Sequence, residues 1–364
     1  MDRRLFVRNL AVGGAASAAA TASAQSGTDN LPTIKWRVQN SYPKSLGEIY
    51  KLQEDTMTAI GKMTAGKFTC QFFQANELVP VPGMINAVGN GTIEAAYSAS
   101  LFYVGINKAF AFGSGLPFGM NARVQYAWLR FGGGNELLDK ELYSQYGVVH
   151  IPSSTTGCQM GGWFRKEIRS LADLQGLKMR IAGLGGEVLS QMGVVAQMLP
   201  PADIYTALEK GTIDSVEWVG PYDDEKLGFN KVAPFYYFPG WWEGGPQLSL
   251  YVNSKSYEAL PAEYKAALAA AASHAHVVMQ ARYDARNPEA LKRLVGGGAK
   301  LRPMPRPIMD ASLKIANEIY ADLSAKNANW KKVYEDWVRF RGDQVLWFRV
   351  AEREFDNFMS AQKL

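Results

Sequence analysis

The stretch Leu177-Lys178-Met179-Arg180-Ile181-Ala182-Gly183, followed by GEVLSQMG at 186–193 and ADIYTALEKGTIDSVEW at 202–218, decides the fold class. The first segment reads as a short, mostly apolar strand closed by a glycine-rich turn. The second has helical periodicity, and the third is a helix running into another strand. Strands alternating with helices predict an α/β fold with a largely parallel sheet. The same alternation opens the chain. TIKWRVQ (33–39) reads as a strand, Leu46 to about Thr64 as a helix, and KFTCQFF (67–73) as a strand. Pro80 to Asn90 begins a short helix, and TIEAAYSA (92–99) is the next strand.

Asn121 to Tyr146 reads as helical apart from a break at Gly132-Gly133-Gly134, and GVVHIPS (147–153) is an apolar strand leading out of the first unit. QMGGWFR (159–165) opens a second unit, in which Ser170 to Leu174 begins a short helix. LSLYVNS (248–254) adds a strand after the proline- and aromatic-rich 233–246. Beyond Ser256 the pattern is helical over 256–295, 307–326 and 328–362, with one short strand around Ala299 to Met304. The 364 residues suit two domains at about 150 residues each. The expected division is a leader at 1–24, one lobe at 25–152 with part of 248–305 returning to it, a second at 153–247, and linking and C-terminal helices at 256–364. Two α/β lobes wrapped by helices suit a ligand cleft between them.

Composition narrows the function classes. Hydrophobic residues make up 47% of the chain, with 9 Trp, 17 Tyr and 17 Phe, which excludes general disorder. No run of about 18 apolar residues follows the N-terminus, so no membrane-spanning helix is expected in the mature chain. The net charge is +5, of which Arg3, Arg4 and Arg8 less Asp2 supply +2, leaving +3 on the rest. That scattered excess does not support nucleic-acid binding. Three histidines (His150, His274, His276) and two cysteines (Cys70, Cys158) leave too few ligands for a Cys/His zinc site or a disulfide scaffold. The two cysteines are expected to be buried thiols, and His150 a core histidine. The opening MDRRLFVRNLAVGGAASAAATASAQS carries paired arginines, Phe6 and Val7, a weakly apolar stretch and Ala22-Ser23-Ala24. This is the pattern of a twin-arginine export signal with cleavage before Gln25, and it predicts a periplasmic protein.

Three regions concentrate polar groups among apolar strands: TTGCQMGGWFR (155–165), LKMRI (177–181) and DSVEWVGPYDDEK (214–226). Arg180 lies inside an apolar strand, where a buried guanidinium needs either an anionic ligand or a structural carboxylate. Glu217 ends an apparent strand, where ligand groups of α/β sheets collect. Glu243 follows in Trp241-Trp242-Glu243-Gly244-Gly245. Two glutamates without His or Cys nearby suit a hard cation, a glycosidase acid/base pair, or simple exposure. No Gly-x-Ser-x-Gly, His-Glu-x-x-His or phosphate-binding glycine loop is present.

LKMRIAG, EKGTIDSVEWVGPYDDEKLGF, FYYFPGWWEGGP and WRVQNSYPKS together resemble the substrate-binding subunits of tripartite ATP-independent periplasmic (TRAP) transporters, the DctP family, and within it the 2-oxo-acid-binding branch. The resemblance implies a two-lobed, type II-like periplasmic binding protein with no catalytic residues. It implies that Arg180 pairs with the ligand carboxylate and that Gln159 touches both ligand and metal. It further assigns Glu217, the Trp218 main-chain carbonyl and Glu243 to the metal, and Tyr103 to a hydrogen bond with the ligand. Phe102, Trp218 and Trp242 would supply apolar walls. The implied ligand is a small 2-oxo or 2-hydroxy monocarboxylate bound with Na⁺, or alternatively Ca²⁺. The implied partners are the small and large integral membrane subunits, and a second copy docked through the last helix. Trp337, Phe340, Trp347, Phe348, Phe355 and Phe358 are the residues expected on that face. Two other readings compete: an exported metal-dependent hydrolase or lyase using Glu217 and Glu243, and a carbohydrate binder with Trp241 and Trp242 as sugar platforms.

Overall fold

The computed structural model describes residues 30–199 and 201–362. The twin-arginine leader read at 1–24 lies outside them. Strands β1 (Ile34–Asn40), β2 (Phe68–Phe73), β3 (Ala95–Ser98), β4 (Val148–Thr155) and β10 (Gln247–Asn253) form one sheet in the order β2-β1-β3-β10-β4. A second sheet holds β5 (Gly162–Phe164), β6 (Lys178–Arg180), β7 (Val195–Gln197), β8 (Ser215–Val216), β9 (Phe235–Phe238) and β11 (Lys300–Pro303), in the order β11-β9-β5-β8-β6-β7.

Both sheets are mixed, which corrects the expectation of a largely parallel one. β1 pairs in parallel with β2 and β3, and β6 with β7 and β8. β10 runs antiparallel to β3 and β4, and β5 antiparallel to β8 and β9. The physical reason is how each strand is reached. Strands joined by a crossover helix must be parallel, whereas β5 and β10 arrive directly from the other sheet and need no crossover. β10 is buried along its whole length, as expected of a central strand covered on both faces.

One helix ties the two lobes. Ala262–Gly296 runs for 35 residues and packs on β4 and the helix Gly47–Met63 of the first lobe, and on the helix Pro221–Leu227 of the second. Its polar contacts repeat that bridge: Arg282 and Arg286 pair with Glu48, and Tyr283 donates to Asp223 at 2.5 Å. The helix Arg306–Lys326 then covers Gly183–Gln191, and Ala328–Phe348 packs on Ala122–Phe131 and Gly134–Glu141. A π-helical turn at Arg349–Arg353 leads to the last helix, Glu354–Ser360. No helix among the described residues is long and apolar enough to cross a membrane.

The C-terminal aromatic set divides. Trp337 is buried against Phe112, and Phe340 and Phe348 are half-buried, the latter under the Arg123 guanidinium. These three belong to this chain's own packing rather than to a docking face. Trp347, Phe355 and Phe358 are exposed at 60–64%, beside Val345, Leu346 and Val350. His150 is a core histidine held between Asn135 Oδ1 at 2.6 Å and Ser249 Oγ at 2.8 Å, and burial pushes it down to about 3.

Candidate functional site

β6 and β8 are parallel neighbours with Arg180 opposite Val216, so Arg180 and Glu217 emerge side by side at the carboxyl edge of the sheet. The backbone ties them first: the Glu217 N–H donates to the Arg180 carbonyl at 3.0 Å. Arg180 Nη1 then donates to the Glu217 carbonyl at 2.7 Å and to Glu217 Oε2 at 2.9 Å. Its guanidinium carbon lies 4.8 Å from the Trp218 ring centroid, and Nε is buried without a partner. The chain leaves β6 through Gly183 at φ +67, a conformation glycine adopts without penalty.

Glu243 reaches the same place from the loop after β9. That loop presses on residues 120–122 so closely that a Cβ at Gly244 would sit 2.6 Å from the Met120 carbonyl. The glycines after Glu243 are therefore a packing requirement. Gln159 comes from the loop joining β4 to β5, which is pinned by Met160 N–H to the Val219 carbonyl at 3.1 Å and by Gly240 N–H to the Gln159 carbonyl at 3.2 Å. Gln159 Nε2 donates to Thr156 Oγ1 at 3.1 Å, while Oε1 is buried with no partner.

These elements enclose a cavity between the lobes of about 430 Å³, including its mouth. Arg180, Gln159, Glu217, Trp218 and Glu243 all line it, with Tyr42, Phe102 and Thr156. Arg180, Glu217 and Glu243 are 4%, 4% and 6% exposed, so neither glutamate is a solvent-facing acid. Burial raises Glu217 to about 7, against the lowering effect of Arg180 and the Ala182 backbone. Burial and the Glu217 charge hold Glu243 well above the usual carboxylate range, again opposed by Arg180. Arg180 thus pairs directly with Glu217 and acts on Glu243 only through its charge.

Three expectations meet a different placing. Tyr103 is not among the residues that line the cavity, although its hydroxyl is buried without a partner. Adjacent side chains on the tight turn Ser100–Tyr103 diverge, so Phe102 faces the cleft while Tyr103 packs beneath it on Phe110 and Tyr251. Trp242 is no wall either: its side chain lies against Gly185 and it meets Trp241 edge-on at 4.9 Å, inside the second lobe's core. With both tryptophans buried, at 4% and 2% exposure, the sugar-platform reading loses its platforms. Cys158 is exposed and Cys70 half-buried, and both are free thiols. Gly157, at φ +69, turns the loop so that Cys158 faces out.

Tyr42 was not singled out in the sequence, and Thr156 only as part of the polar run 155–165. Tyr42 carries a legible signal, since a strand ending at Asn40 delivers the next residues to the sheet edge. Thr156 shows no such pattern.

A resident cation can be tested against these residues. The unpartnered Gln159 Oε1, the two carboxylates and the nearby Trp218 main chain are all oxygen donors, which suits a hard cation. Among the described residues no group of three or more His, Cys, Asp and Glu side chains is placed to hold a metal ion. An ion here would therefore need amide, main-chain and ligand oxygens to complete its shell. The residues fit such an ion.

Residues 46–327 match the family described as bacterial extracellular solute-binding protein, family 7 (DctP). The chain is 47% identical over 343 residues to a monocarboxylate 2-oxoacid-binding periplasmic protein of Nostoc sp., covering 94% of this chain and 93% of that one. It is 51% identical to a TRAP transporter solute-binding protein from Bordetella bronchiseptica, a mixed-occupancy dimer with copurified calcium and picolinate (TM-score 0.88, covering 91% and 98%). It is 35% identical to one from Pseudoalteromonas atlantica with bound sodium and pyruvate (TM-score 0.84, 91% and 100%). A third, from Colwellia psychrerythraea with calcium and pyruvate, is 33% identical (TM-score 0.86, 89% and 99%). The two mixed sheets, the cleft and the helical C-terminal part are the architecture these proteins share. By fold and by sequence, this chain belongs to the DctP family of bacterial extracellular solute-binding proteins.

Proposed function

We propose that this chain is the periplasmic solute receptor of a TRAP transporter, exported by the twin-arginine route, that binds a small 2-oxo or 2-hydroxy monocarboxylate together with a cation. The observation that carries this is the buried Arg180–Glu217–Glu243 group facing an unpartnered Gln159 oxygen. Arg180 offers a planar fork for one carboxylate. Gln159, Glu217, the Trp218 carbonyl and Glu243 would hold the cation, which bridges protein and ligand oxygens. Pyruvate and picolinate, bound by relatives, share one head group: a carboxylate with a second donor atom on the adjacent carbon. The ion is Na⁺ in this reading, with Ca²⁺ the alternative.

The receptor is non-catalytic in this reading. The exported hydrolase or lyase would use the same Glu217 and Glu243, which both line the cavity, so the two readings part on turnover. The lobes, at 25–152 and 153–247 with part of 248–305 returning to the first, close because Tyr42 and Phe102 meet the ligand from one side and Arg180 and Glu217 from the other. The closed form is then offered to the two membrane subunits. The exposed Trp347, Phe355 and Phe358 face pairs with the same face of a second copy. Calorimetric titration of the purified mature chain with pyruvate, with and without cation, tests the reading. Turnover of the acid would overturn it in favour of an enzyme.

A further inference from the structure

Beside the carboxylate cavity lies a second chamber of about 1020 Å³ including its mouth. The two share Phe102 and Arg180 and are otherwise lined by different residues. The chamber wall is largely apolar: Pro43, Val81 and Pro82 come from the first lobe, and Met198 and Leu199 from the second. Phe102 and Arg180 therefore divide the charged cavity from the largely apolar chamber, and Phe102 is the apolar member of that divide. Its neighbours Leu101 and Tyr103 are buried and anchor the turn, while Phe102 itself is half-buried, with its ring centroid 6.0 Å from that of Tyr42. The backbone is fixed and the ring is the removable element.

We propose that Phe102 sets the size limit on the acyl group of the ligand, and that the chamber behind it takes the hydrocarbon tail of a longer or aromatic 2-oxo acid when the ring is out of the way. This rests on the receptor reading above, since the head group must already be held at Arg180. With the ring in place, the head-group cavity ends at Phe102, and a bulky tail clashes with it. With the ring removed, the two spaces become continuous, and a tail passes between Val81 and Pro82 on one lobe and Met198 and Leu199 on the other. Such a tail is desolvated by both lobes at once. The large chamber then rewards bulk that the small cavity excludes.

The test compares pyruvate, 2-oxooctanoate and phenylpyruvate by calorimetry at one fixed cation concentration, using wild type, Phe102→Ala and Phe102→Ala/Val81→Trp. The wild type should prefer pyruvate. Phe102→Ala should raise the affinity for both bulky acids relative to pyruvate by about tenfold or more. Val81→Trp, which fills the chamber, should cancel that gain while pyruvate still binds. Phe102→Leu should move the ratio the same way by less, and it carries the comparison if the alanine variant does not fold. A bulky-acid to pyruvate ratio unchanged within about twofold, with pyruvate binding retained, overturns the partition alone. So does a gain that survives Val81→Trp. A wild type that binds no 2-oxo acid overturns the receptor reading, and this inference with it.

Discussion

Arg180 Nη1 donates to both the main-chain carbonyl and the side-chain Oε2 of Glu217, at 2.7 and 2.9 Å. One guanidinium nitrogen thus orients a strand end and neutralises a buried carboxylate. Nη2 has no hydrogen bond to the protein described here and Nε has no partner at all, so this fork is not exhausted by its structural pair. The sequence left open whether Arg180 serves an anionic ligand or a structural acid. The geometry includes the second and leaves donors for the first.

Replacing Arg180 with Met keeps length and apolar bulk but removes the charge. Truncating one member of a buried, hydrogen-bonded charge pair weakens binding by about a hundredfold or more. Calorimetric titration of Arg180→Met with pyruvate and cation should show that loss, with the fold retained by circular dichroism. Micromolar binding in the variant would contradict the role given to Arg180.

Glu243→Gln removes a carboxyl that burial and the Glu217 charge hold well above the usual carboxylate range. Neutral amide oxygen is a weaker ligand for a hard cation than carboxylate. The cation dependence of ligand binding should fall by about tenfold or more in this variant. Titrating Na⁺ and Ca²⁺ at fixed pyruvate checks it, and an unchanged cation midpoint would remove Glu243 from the metal site.

Asp224 gives a pH signature away from the ligand groups. Its Oδ2 accepts from Trp163 Nε1 at 2.9 Å and from the Tyr236 hydroxyl at 2.7 Å. Burial, helped by the charge of Asp223, raises it to about 7 despite those two donors. A carboxyl whose folded pKa exceeds its unfolded value near 3.9 favours the folded state fully below about pH 4. That contribution is lost as pH rises through the folded value. Between pH 5 and pH 8 the wild type should lose about 1–3 kcal/mol relative to Asp224→Asn. Urea unfolding of both proteins at the two pH values measures the slope, which is separate from any constant cost of the amide.

The C-terminal helices offer a paired test. Trp337→Ala empties a buried site between Phe112 and Tyr334 and should cost about 3–5 kcal/mol. Trp347→Ser changes an exposed residue and should move stability by about 0.5 kcal/mol or less. If the exposed face pairs two copies, Trp347→Ser with Phe355→Ser shifts sedimentation toward monomer. A population of dimer equal to wild type would rule that face out.

The alternation of strand and helix was legible because crossover units impose it on the sequence. Strand direction was not: the antiparallel placing of β5 and β10 depends on which sheet receives the chain after residues 155 and 246, and no local pattern encodes that. β7 and β9 escaped notice at three and four residues, too short for periodicity, and β9 lies among prolines. Arg180 and Glu217 were conspicuous as charge inside or at the end of an apolar strand, and Glu243 as charge following two tryptophans, because burying such groups is costly. Gln159, Trp218 and Tyr103 carried no such signal and came only from the family resemblance. Tyr103 lies one step along a tight turn from Phe102, beneath the cavity wall, with its hydroxyl unpartnered. Trp242 was misread because an aromatic beside a charged residue need not share its direction.

The central claim is a cation-assisted carboxylate site between two lobes. It is tested most directly by thermal denaturation of the metal-stripped mature chain against pyruvate, lactate and acetate, each with Na⁺, with Ca²⁺ and with neither. Ligand that binds only the native state raises the midpoint by mass action. The account predicts a rise for pyruvate and lactate that requires cation, and none for acetate, which lacks the second donor atom. An equal rise without cation, or no rise with any acid, would contradict it.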